Sequence, residues 1–193
     1  MAKYIETYDS LEVLDVHCNT IKEEGFEALL TSLIPSAESG ALKHLDINDN
    51  MVQGESFERL LDVIKTVTKL EFLSISDCLI EDVEQHQALR LALVNSPSHE
   101  TLETFRWNYD AECYTNSKPF LADFSEEKNF PSLKEVQMIA VVASKTVRDT
   151  HRDIFEKRGV KVFFTERELD DDSDSDGFSE SHESSEGSNN NSD

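Results

Sequence analysis

The chain has 193 residues, with 18 Lys and Arg against 40 Asp and Glu, a formal net charge of -22. Such an excess of acid argues against nucleic acid or an anionic membrane as a partner and favours a basic protein surface. The length suits one domain with a tail. Three cysteines, at 18, 78 and 113, form no CxxC pair, so neither a disulfide framework nor a zinc knuckle is expected. A reducing compartment is the default for such usage. No apolar run approaches the roughly 20 residues of a membrane span. The opening residues MAKYIETYDS lack the apolar core of a signal peptide. These features predict a soluble, intracellular protein.

The first element is a fragment. Lys3–Leu11 aligns with Asp62–Leu70, so Met1–Tyr8 reads as the last turns of a helix whose own strand is missing. A stacked array needs a polar end cap, and none precedes this segment. The expectation is therefore the rear part of a longer array; the alternative is that Met1–Tyr8 is itself a minimal cap.

A pattern then begins at Leu11 and returns four times. Leu11-Glu-Val-Leu-Asp-Val16 is followed by His-Cys-Asn19-Thr-Ile21, and Leu42-Lys-His-Leu-Asp-Ile47 by Asn-Asp-Asn50-Met-Val52. Leu70-Glu-Phe-Leu-Ser-Ile75 leads into Ser-Asp-Cys78-Leu-Ile80. Weaker copies start at Leu102 (Phe105, Trp107, Asp110) and Leu133 (Val136, Met138). The starts are 31, 28, 32 and 31 residues apart. A fixed period of this size marks a repeat architecture, and LxxLxLxxN/CxL is the leucine-rich-repeat template.

The spacing has a mechanical reason. The LxL part is a short strand whose alternate side chains enter the core. The chain must then bend away, leaving backbone groups without partners. Asn19 and Asn50 can bond those groups, Cys78 can fill the same small slot through its weak S–H donor, and Asp110 takes the equivalent place in the fourth unit. These four positions are assigned to a structural turn ladder, in preference to a reactive or metal-binding role for the thiol.

Each bend is followed by a helical spacing of apolar residues: Phe26, Leu29, Leu30 and Leu33, then Phe57, Leu60, Leu61 and Ile64, then more loosely Ala88, Leu89 and Ala92. The stretch 110–129 is longer and more polar, and predicts a distorted or inserted loop. Val147, His151, Ile154 and Phe155 share one face of a further helix that stops at Gly159. Val160–Phe164 reads as a final strand. The predicted fold is an α/β leucine-rich-repeat solenoid of ribonuclease-inhibitor-like type. It has about five units over 1–165 without an N-terminal cap, parallel strands on the concave face and helices on the convex face.

Residues 166–193 form an acidic segment; from Asp170 onward it holds nine acids and no Lys or Arg. It cannot bury enough apolar surface to offset its ordering entropy, which predicts disorder. Ser173, three residues before Asp176, suits an acidophilic kinase.

Leu42-Lys-His-Leu-Asp-Ile-Asn-Asp-Asn and Leu70-Glu-Phe-Leu-Ser-Ile-Ser-Asp-Cys-Leu resemble two consecutive repeats of Ran GTPase-activating proteins. Glu24-Gly25 with Leu29 is similar to the E-G-x-x-x-L helix start of that family, and the acidic segment after the last repeat fits it too. The resemblance covers 3–95 well and 100–165 loosely. It implies binding of Ran and faster GTP hydrolysis in nucleocytoplasmic transport, by a cytoplasmic, nuclear-envelope or nuclear protein. Such a regulator works without an arginine finger, presses the GTPase's own groups into place, and has no active site or cofactor of its own. Its critical polar residues lie mostly on earlier repeats, so no catalytic residue carries over. The alternatives are a pure binding scaffold, similar to tropomodulin or to acidic nuclear phosphoproteins, and an inactive fragment.

No HExxH, GxxxxGK[ST], GxSxG or GxGxxG motif occurs. The six histidines show no ligand spacing with cysteine or carboxylate along the sequence, and no metal is expected. The candidate partner-binding residues are those between and just after the leucines, which point to the sheet face or its rim. They are Asp15 and His17; Asp46, Asn48 and Asp49; Ser74, Ser76 and Asp77; and Arg106, Asn108 and Tyr109. Acids recurring in register favour a basic protein partner, Ran or another, engaged by a monomer; against this, short polar residues also simply tolerate a curved sheet.

Overall fold

The leucine spacing builds strands that are very short. In the computed structural model, which describes residues 10–78, 80, 83–109, 122–140 and 145–166, the first three are β1 (Val13–Asp15), β2 (His44–Asp46) and β3 (Phe72–Ser74). Longer strands follow: β4 (Thr104–Tyr109), β5 (Glu135–Ala140) and β6 (Lys161–Glu166). Between them lie helices α1 (Glu23–Glu38), α2 (Glu55–Thr66), α3 (Val83–Val94) and α4 (Lys145–Glu156), with a 3-10 turn at Pro97–Glu100.

The six strands form one parallel sheet in chain order, β1 to β6. Parallel neighbours need a crossover, which the helices supply in the first three links and in the last, from β5 to β6. Register follows the sequence pattern: Leu14 pairs with Leu45, Leu45 with Leu73, Leu73 with Phe105, Phe105 with Val136 and Val136 with Val162. The protein is thus α/β with a single all-parallel sheet.

One apolar core runs the length of this sheet. Leu14, Leu45, Leu73, Phe105 and Val136 are buried in it, with the second row Val16, Ile47, Ile75, Trp107 and Met138. Phe26, Leu30 and Leu33 of α1 and Phe57, Leu60, Leu61 and Ile64 of α2 close over the same cluster. Each such side chain contributes about 1.5–3 kcal/mol on leaving water. The helices therefore cover the leucine face and leave the other face of β1 and β2 open, where Val13 and Asp15 are exposed.

A second set of ties joins the units at the helix-to-strand returns. The Glu12 carbonyl accepts from both Lys43 and His44 N–H, and Lys43, Glu71 and Glu103 carbonyls repeat this toward the next unit. Ser98 donates to the Val67 carbonyl at 2.6 Å and Ser96 to that of Ile64 at 2.7 Å, so buried serines satisfy carbonyls that no helix reaches.

Two expectations need correction. Ile154 does not share the buried face of α4: His151 and Phe155 are buried, while Ile154 is 38% exposed. The face is narrower than the spacing implied, because α4 packs against the end strand β6 and has no fifth helix beyond it among the described residues. The stretch 110–129, expected to be a distorted or inserted loop, is described only from 122, and that part is not merely polar: a helical turn at 122–125 buries Phe124, and Phe130 just beyond the stretch is buried too. Met1–Tyr8, Asp110, Cys113, Ser173 and the acidic segment from 167 lie outside the described residues; the strand β6 extends through Glu166, one residue past the expected boundary.

Candidate functional site

The open face is organised by one backbone event repeated three times. Cys18, Asp49 and Asp77 each adopt a left-handed conformation, with φ of 54°, 54° and 52°. They stand seven residues after Leu11, Leu42 and Leu70 respectively. Aspartate tolerates this region better than most residues, since its short side chain bonds locally. Each left-handed residue turns the chain off the sheet at the same height.

Pairing persists up to that turn. Val16 N–H bonds the Asp46 carbonyl, Cys18 N–H that of Asn48, Ile47 N–H that of Ser74 and Asp49 N–H that of Ser76. In a parallel ladder this sets His17 beside Asn48 and Asn48 beside Ser76. Two rows therefore cross the open face: Asp15, Asp46, Ser74 and Arg106, then His17, Asn48 and Ser76.

The candidate residues divide within these rows. Asp15, His17 and Asp46 come together: His17 Nδ1 donates to Asp15 Oδ1 at 2.5 Å, and the ligand atoms of all three lie within 4.8 Å of one another. This corrects the reading that no histidine has a carboxylate at ligand spacing; Asp46 comes from the neighbouring unit, which linear spacing cannot reveal. The bond lifts the His17 pKa above the ordinary imidazole value and holds the Asp15 carboxyl below its usual range. The Asp49 carboxylate bonds the exposed Cys18 thiol and raises its pKa.

Ser74 and Ser76 are buried. Arg106 is drawn over the neighbouring strand: its guanidinium lies 4.8 Å from the Phe72 ring centroid, with Nη2 3.7 Å from Glu135 Oε1. Asn108 and Tyr109 end β4, where their backbones pair with Ile139 and Ala140.

Below these rows sits a feature the sequence reading missed. His44 and Phe72, partners across β2 and β3, stack with ring centroids 3.9 Å apart and planes 2° from parallel. The signal was available, since both occupy the second position after the unit's first leucine and share the outward parity of Asp46 and Ser74. Exposed Val13, at 57%, flanks the stack on β1.

The turn-ladder residues lie on the opposite side of the bend. Asn50 Nδ2 donates to the Val16, Ile47 and Asn48 carbonyls at 2.9, 3.0 and 3.1 Å, and its Oδ1 accepts from Ile21 N–H at 3.1 Å. Cys78 Sγ donates to the Ile47 carbonyl at 3.2 Å. Burial pushes the Cys78 thiol up to about 12, against a smaller lowering by its bond to the Asn50 backbone. Asn19 bonds Val16 and His17 carbonyls within its own turn and is exposed.

Compared with known proteins, the chain matches no family model and no curated sequence. Among the described residues, no helix is long and apolar enough to cross a membrane.

Proposed function

We infer that the chain is a leucine-rich-repeat solenoid of ribonuclease-inhibitor-like type whose open strand face binds the small GTPase Ran and promotes its GTP hydrolysis. The observation that carries this reading is two pairs of acids in register, Asp15 beside Asp46 on the strands and Asp49 beside Asp77 at the turns that follow. Asp49 and Asp77 belong to the N-D-N and D-C-L segments that resemble Ran GTPase-activating repeats, and Asp46 precedes the first of them in the same repeat. Two such pairs, one on the strands and one at the turns, make a surface that steers a basic partner and fixes its orientation.

The protein acts as a regulator, with no cofactor and no active site of its own. Arg106 stacks on Phe72 and pairs with Glu135, so it is engaged within the sheet. Activation then comes from positioning the GTPase's own glutamine, in contrast to an arginine supplied in trans. Single-turnover GTP hydrolysis by Ran, with and without the full chain, tests this: acceleration supports activation, and an unchanged rate removes it.

The same engagement of Arg106 favours a second reading, a scaffold that binds without activating. Pull-down of Ran loaded with a GTP analogue separates the two. Retention without acceleration selects the scaffold; no retention at low salt removes Ran as the partner.

A further inference from the structure

Asp15 and Asp46 are direct partners across β1 and β2. Neighbouring strands lie roughly 4.8 Å apart, and like charges directly opposite destabilise a sheet unless something positive stands between them. His17 is on the same face, bonded to Asp15, and the three ligand atoms fall within 4.8 Å of one another. Two ligands of one zinc-like ion, each about 2.1 Å from it, stand at most about 4.2 Å apart. Small side-chain rotations bring all three onto one ion.

A separate observation points to a cation at the same place. Asn48 Oδ1 is sealed from solvent and has no hydrogen-bond partner. Asn48 pairs with His17 through the Cys18 N–H bond to its carbonyl, and its own N–H rests on Asp46 Oδ1 at 3.1 Å. Buried acceptors are ordinarily satisfied; half-buried Asn48 stands next to His17 across the strands and two residues from Asp46 on the same face, so a cation held there is within reach of its amide.

We propose that Asp15, His17 and Asp46, with the Asn48 amide oxygen beside them, form a divalent metal site of the zinc class on the open face. Imidazole with carboxylate suits zinc, whereas magnesium and calcium take oxygen donors alone. Binding displaces the proton held between His17 and Asp15, and it bridges the first two strands. The site shares Asp15 and Asp46 with the proposed partner surface, but its test needs no partner protein.

The test is calorimetric titration of the full chain with Zn²⁺ at pH 7.5, in excess Mg²⁺ to occupy the acidic segment. The expected result is one Zn²⁺ per chain, weakened about tenfold or more in His17→Ala and in Asp46→Asn, with a smaller loss in Asn48→Ala. Co²⁺ in place of Zn²⁺ reports inner-sphere coordination by its visible band, which His17→Ala is expected to shift or weaken. All three positions lie outside the apolar core, and far-UV circular dichroism checks that each variant folds. Equal Zn²⁺ binding by the unaltered chain and His17→Ala would place the ion elsewhere and overturn the proposal. So would the absence of saturable binding, or displacement of Zn²⁺ by equimolar Ca²⁺.

Discussion

Cys78 and Asn50 perform the same task one unit apart. The Cys78 thiol donates to the Ile47 carbonyl at 3.2 Å, and the Asn50 amide donates to the Val16 carbonyl at 2.9 Å. Val16 and Ile47 are equivalent core residues of consecutive units, so each bond reaches back to the unit before. The amide does more than the thiol: it also bonds Ile47, Asn48 and Ile21. Asn50→Ala leaves the Ile21 N–H without its partner, at about 1–3 kcal/mol, and takes one of two donors from the Val16, Ile47 and Asn48 carbonyls, which Asn19, Cys78 and Cys18 N–H also reach. The expected loss is about 3 kcal/mol for Asn50→Ala and about 1 kcal/mol for Cys78→Ala, read from urea denaturation at unchanged slope.

The same burial controls thiol chemistry. Cys78 is raised to about 12 and enclosed, whereas Cys18 is exposed. The thiolate is the reactive form. Iodoacetamide at pH 8 followed by peptide mapping is expected to label Cys18 in the folded chain and to reach Cys78 only in urea. Cys18 itself should react more slowly than in Asp49→Asn, because the Asp49 carboxylate favours the protonated thiol. Equal labelling of Cys78 with and without urea would contradict the ladder.

Phe124 is the centre of an aromatic stack. It lies 4.1 Å from the Phe130 ring and 4.8 Å from that of Phe105, which in turn stacks on Trp107 at 5.3 Å. Arg158 donates to both the Phe124 and Phe130 carbonyls, pinning the segment to the end of α4. Phe124→Ala is expected to cost about 3–5 kcal/mol and to quench the order around Trp107, seen as a red shift of its fluorescence. A loss below about 1 kcal/mol would mean the segment is only laid against the core.

His151 sets a pH dependence. Burial lowers its pKa below the ordinary imidazole value. Above both values the folded and unfolded chains hold it neutral, and it contributes no slope. As pH falls below about 6.5, the unfolded chain takes up the proton first, so stability drops until the lowered folded value is passed. Urea midpoints between pH 7.5 and 5 should fall in the unaltered chain and fall less in His151→Gln.

Much of this architecture was legible in the sequence because its signal is local. Leu14, Leu45 and Leu73 fix strand parity, and a period near 30 residues brings equivalent positions side by side. The bonds of Asn50 and Cys78 follow from the same local signal, since a bend after each strand leaves carbonyls that a small polar side chain must satisfy. What escaped is what only adjacency between units creates. The His17–Asp46 approach joins residues of different repeats. The His44–Phe72 stack depends on register across two strands, and Arg106 leaning over Phe72 depends on a side-chain direction that periodicity does not encode. Phe124 escaped because its segment is polar in composition and carries its two buried rings, Phe124 and Phe130, without a period.

The central claim is that the acidic strand ends are the partner surface. Its most direct test is the affinity of Ran, loaded with a GTP analogue, for the unaltered chain and for Asp46→Lys with Asp49→Lys, at 50 and 300 mM salt. The account predicts binding to the unaltered chain that weakens with salt, and at least a tenfold loss on charge reversal while the circular dichroism spectrum is retained. Binding that is unchanged by the reversal, or insensitive to salt, would contradict it.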